Sequence, residues 1–128
     1  MLKYWIGLIW SCAFLGGFLT GNSVVFAADM TIDMLNKDAN GNKMIYSKEI
    51  AKVVVGDTIT WLPASKGHNV HFISAPDGIK KLPKSKLNKE FSYTFEKDGV
   101  YLYQCTPHKS MGMIGLVIVG DDLSLIHI

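Results

Sequence analysis

From Met30 onward the chain has no stretch of ten residues with a 3.6-residue apolar period, and that excludes a helical bundle. Short β-type runs parted by turn residues take its place. Phe91, Tyr93 and Phe95 alternate with Ser92, Thr94 and Glu96, the clearest period of two in the chain. Met30–Leu35, Met44–Tyr46, Ile50–Val55, Thr58–Leu62, Asn69–Ile73, Val100–Cys105 and Ile114–Val119 read as further strands. Gly56-Asp57, Pro63, Pro76-Asp77-Gly78 and Asp98-Gly99 punctuate them. Seven to eight short strands predict an all-β chain folded as a Greek-key β-sandwich.

The two ends read differently from the middle. Lys3 precedes an apolar stretch from Tyr4 to Leu19, and Val25-Phe26-Ala27 ends the segment with small residues where a leader peptidase reads. Residues 1–27 are therefore expected to be a signal peptide, cut between Ala27 and Ala28. The competing reading is a retained membrane anchor, against which Asn22 and Ser23 interrupt the apolar run. Residues 123–128, Leu-Ser-Leu-Ile-His-Ile, are expected to be a non-native, adapter-derived tail and carry no weight in the fold. One domain remains, residues 28–122.

Cysteine usage sharpens the reading. Cys12 leaves with the leader, so Cys105 has no partner within the mature chain. A lone thiol in an oxidising compartment needs burial or a metal. Two residues separate Cys105 from His108, and four separate His108 from Met113, all between the last two strands. Another strand edge carries Gly67-His68-Asn69. His68, Cys105, His108 and Met113 together supply two imidazoles, a thiolate and a thioether, the donor set of a trigonal copper site with a weak axial methionine. Singly, each has a plainer role as core or surface residue; only their joint spacing points to one copper ion. Zinc is the competing metal, but it wants four strong ligands, and residues 28–122 hold no second cysteine.

With four protein ligands no position stays open for substrate, so an electron carrier is expected, not an enzyme. A copper chaperone, with Met111-Gly112-Met113 as its exposed motif, and a metal-free binding domain are the other readings. Lys+Arg is 13 against 11 for Asp+Glu, which gives no reason to expect nucleic acid. All the basic residues are lysines, and Lys80, Lys81, Lys84, Lys86 and Lys89 fall within ten positions. Such a run is commonly a solvated loop. Its sharper reading joins Lys66, Lys80, Lys81, Lys84, Lys86 and Lys109 with the apolar Met111 in a docking face for an acidic redox partner.

Met34-Leu35-Asn36-Lys37, Val55-Gly56-Asp57-Thr58, Lys66-Gly67-His68-Asn69-Val70, Pro76-Asp77-Gly78, Lys84-Ser85-Lys86 and Cys105-Thr106-Pro107-His108 with Met111-Gly112-Met113 closely resemble the pseudoazurins, a branch of the cupredoxins. The resemblance implies a periplasmic, monomeric type 1 blue copper protein with no stable membrane association. It would donate single electrons to a redox protein such as a copper nitrite reductase. It also implies that Asn69 braces the Cys105–Thr106 loop and that Pro107 removes a hydrogen-bond donor near the sulfur. One departure stands out: pseudoazurins continue from the last strand into C-terminal helices, whereas this sequence stops there, and either a truncated fragment or a helix-free relative is expected.

Overall fold

A computed structural model describes residues 27–120, together with Gly17. The expected leader, Gly17 and Ala27 apart, and the expected tail lie outside the described residues. Eight strands form: β1 (Asp29–Lys37), β2 (Lys43–Tyr46), β3 (Ile50–Val53), β4 (Thr58–Leu62), β5 (His71–Ser74), β6 (Phe91–Thr94), β7 (Gly99–Gln104) and β8 (Ile114–Val119). They pair as two four-stranded sheets, ordered β2-β1-β4-β6 and β3-β8-β7-β5. β1 runs parallel to β4, and β3 runs parallel to β8, so each sheet joins segments distant in sequence. This is the Greek-key β-sandwich expected of the alternating runs. Among the described residues the only helical segment is one 3-10 turn, Lys109–Met111.

Alternation decides which face each strand buries. Along β4, Ile59 and Trp61 point inward, and along β7 Tyr101 and Tyr103 do so. Ile32 and Met34 of β1, Phe72 of β5 and Val117 and Val119 of β8 close the core from both sheets. Its centre is aromatic: Tyr103 meets Tyr46 edge-on at 4.8 Å between ring centroids and Trp61 at 5.2 Å. Edge-to-face packing of this kind adds about 0.5–1.5 kcal/mol per pair beyond burial. Gly115 of β8 lies against Tyr103, and a β-carbon there would come within 2.1 Å of the ring. Only a residue without a side chain lets that strand pass.

Several strand ends differ from the sequence expectation by one or two residues: β1 runs on to Lys37, β3 stops at Val53 and β7 spans Gly99–Gln104. The fifth strand begins at His71, two residues later than Asn69. The cause is competition for backbone partners. Val70 N–H donates to Ser85 Oγ, and Ser85 N–H donates back to Val70 O, so this segment pairs with the long irregular loop instead of β7.

Candidate metal centre

At one end of the sandwich, the β7–β8 loop and the segment before β5 converge. His68, Cys105 and His108 each offer one donor atom, and these atoms all lie within 4.8 Å of one another. Cys105 Sγ is 3.7 Å from His68 Nδ1 and 3.5 Å from His108 Nδ1, and both imidazoles aim the same nitrogen at the sulfur. His68 and Cys105 are fully buried, and His108 is half-buried. Among the described residues no carboxylate joins the group.

Local backbone bonds hold these side chains. Cys105 N–H donates to Met113 O at 3.0 Å, which closes the loop on itself where β7 ends and β8 begins. His108 N–H donates to Cys105 O, and Met113 N–H donates to His108 O. Lys109–Met111 make the 3-10 turn between them, which Gly112 ends in the left-handed region at φ 80°. Met113 is thereby drawn inward and is fully buried beside Cys105 in the core cluster.

The His68 side is braced through Asn88, whose side-chain oxygen accepts the Gly67 N–H at 2.6 Å and whose own N–H donates to His68 O. Gly67 adopts φ 92°, a conformation that L side chains rarely take. The far nitrogen of His68, Nε2, lies 2.7 Å from Asn36 Oδ1 at the end of β1. An amide oxygen only accepts, so Nε2 carries the proton and Nδ1 presents its lone pair to the group. Burial, and then the neighbouring His108, push the His68 pKa below its ordinary value and keep the ring neutral.

Asn69 ties the two loops together. Its Oδ1 accepts the Thr106 N–H at 2.8 Å, and its amide donates to Thr106 Oγ1 at 3.1 Å. Tyr46 OH donates to Asn69 O at 2.7 Å from inside the core. This is the Asn69–Thr106 brace the resemblance implied. Asn36, Asn88 and Ser85 were not singled out as site residues, although Asn36 stands within the quoted Met34–Lys37 motif. Their bonds join positions 32, 21 and 15 residues apart, which no local pattern announces.

Around the centre, Pro107 and Met111 are exposed, Met111 by 56%. Lys66 and Lys109 are exposed and adjoin His68 and His108 in the chain. Lys84 and Lys86 line a surface recess of about 470 Å³ together with Thr106, Pro107 and Leu87. Lys80 and Lys81 are also exposed, but none of the described contacts ties them to the centre. His71, three residues beyond His68, stands outside the cluster at the start of β5.

The donor set suits copper. Two imidazole nitrogens and a buried sulfur, with the buried Met113 on the same loop and no carboxylate among the described residues, match a soft trigonal site better than the four strong ligands of structural zinc.

Comparison with known proteins agrees. Residues 32–120 match the family of copper binding proteins, plastocyanin/azurin family. The pseudoazurin of Paracoccus pantotrophus is 41% identical over 98 residues, which cover 75% of this chain and 66% of that protein. Crystallised pseudoazurins are similar in shape: that from Methylobacterium extorquens AM1 superposes with a TM-score of 0.70 at 38% identity, covering 77% of this chain and 80% of that one. The pseudoazurin from Hyphomicrobium denitrificans gives 0.70 at 36% identity, covering 75% and 78%. An amicyanin structure superposes less closely, at 0.56 and 33% identity, covering 71% and 81%. The chain spans 64% to 66% of the length of the curated pseudoazurins it matches.

Proposed function

The chain belongs to the plastocyanin/azurin family of copper-binding proteins, and on that premise we propose that it is a one-electron carrier exported to the periplasm. The observation that carries this reading is the convergence of His68, Cys105 and His108 donor atoms within 4.8 Å at one end of the sandwich, with His68 and Cys105 fully buried and His108 half-buried. His68, Cys105, His108 and Met113 would hold one copper ion. Held in that arrangement of side chains, it would supply a Cu(II)/Cu(I) couple.

The protein's own part is to keep that geometry. Asn36 fixes the His68 tautomer, the Asn69–Thr106 pair locks the two loops together, and the closed Cys105–Met113 loop stops the thiolate from swinging outward. Burial of Cys105 keeps water and oxidants from the sulfur. His108 lies between the buried sulfur and the surface, so it marks the point of closest approach for a docked partner. That partner is a redox protein with an acidic face, such as a copper nitrite reductase, met by Met111 and the lysines around it. Residues 1–27 act as the export leader, and residues 123–128 as a tail foreign to the domain.

Loading the purified protein with Cu(II) tests the assignment through its visible and EPR spectra. Intense thiolate-to-copper absorption is expected, and it disappears in Cys105→Ala. A colourless loaded protein, or an unchanged spectrum in that variant, would sink the proposal.

A further inference from the structure

We infer that Asp57 is a built site for the chain's own new α-ammonium group, formed when the leader is cut between Ala27 and Ala28; the inference rests on that cleavage reading. The Asp57 side chain is only 6% exposed. One carboxylate oxygen accepts the Ala28 N–H at 2.8 Å, and the other accepts the Val54 N–H at 2.9 Å. The main chain of Asp57 is bound as well: its N–H donates to Val54 O, and its carbonyl accepts the Phe95 N–H. Ala28 O in turn accepts the Thr58 N–H, which starts the parallel register of Asp29 beside Thr58. One carboxylate therefore joins the entry of β1, the exit of β3 and the start of β4.

In the uncut chain the atom facing this buried charge is a neutral amide nitrogen. Hydrolysis by a leader peptidase adds one water across the Ala27–Ala28 bond. Ala27 leaves as a carboxylate, and the Ala28 nitrogen takes up a proton to become an ammonium. The same atom, already at hydrogen-bonding distance, then carries a full positive charge toward Asp57. Hydrogen bonds to charged groups are roughly twice as strong as neutral ones. Nothing needs to move for the pair to form. This bond pins the chain at the residue just before strand β1, whose far end carries Asn36 against His68.

A four-form cycle on exported protein tests the charge itself. The forms are the wild type, Asp57→Asn, a chain with one glycine inserted between Ala27 and Ala28, and the double variant. The insertion restores an amide at Ala28 and moves the ammonium outward by about 3.5 Å. With Asp57 present, the extension is expected to lower the folding equilibrium constant by about five- to tenfold, and with asparagine by less than twofold. Equal losses on both backgrounds overturn the ion pair and leave the leader reading standing. An intact mass that does not begin at Ala28 overturns both. Should Asp57→Asn fail to fold, acetylation of the wild-type α-amino group at pH 7 decides. Protection of about fivefold or more against an Ala-Asp dipeptide supports the pair, and equal rates overturn it.

Discussion

Asn36 does more for the centre than its place at a strand end suggests. Its Oδ1 is the group that meets His68 Nε2, and an imidazole held at one nitrogen presents the other in a fixed direction. Asn36→Ala is expected to weaken copper binding by about 10–100-fold. Competition with a Cu(I) chelator measures this, and an unchanged affinity would remove Asn36 from the positioning set. The candidate donors His68, Cys105, His108 and Met113 were legible in the sequence because residue type and loop spacing carry their chemistry. Asn36 was not, because its importance is a contact across 32 residues and an asparagine at a strand end has many ordinary uses. Asn88 went unremarked for the same reason, 21 residues from the glycine it holds.

Strands that alternate were readable; strands whose partners lie elsewhere were less so. β7 buries alternate residues and β6 half-buries them as their pattern predicts, whereas the start of β5 shifted because Ser85 claims the main chain of Val70. Which strands become neighbours was not readable at all. The parallel pairing of β3 with β8 joins residues more than 60 positions apart, and it depends on shape complementarity in the core. Gly115 shows how tight that complementarity is, since Tyr103 fills the space where its β-carbon would stand. The ring has Tyr46 and Trp61 edge-on beside it and little room to retreat. Gly115→Ala is expected to destabilise the domain by about 1–3 kcal/mol, the usual cost of overpacking a filled core. Urea denaturation of the metal-free protein reads this, and an unchanged midpoint would show that the ring yields freely.

For the molecule as a whole, the proposed docking of an acidic partner rests on four exposed lysines. Lys84 and Lys86 flank the recess beside Pro107, and Lys66 and Lys109 adjoin the two histidines. Replacing these four by glutamate is expected to slow reduction of an acidic redox partner by about tenfold or more at low salt, and to flatten the salt dependence of the rate. Stopped-flow kinetics over a range of ionic strength checks this; an unaltered salt slope would return the lysines to the role of solvated loop. The topology has a further consequence, for timing. The two histidine-bearing segments are 37 residues apart at His68 and Cys105, and hydrogen bonds between Asn69 and Thr106 help to knit them together. In a nascent or translocating chain no local stretch therefore offers the whole set of His68, Cys105 and His108. The donors meet only once β5 has paired with β7 in their shared sheet, so an ion reaching the protein early finds no cage to occupy.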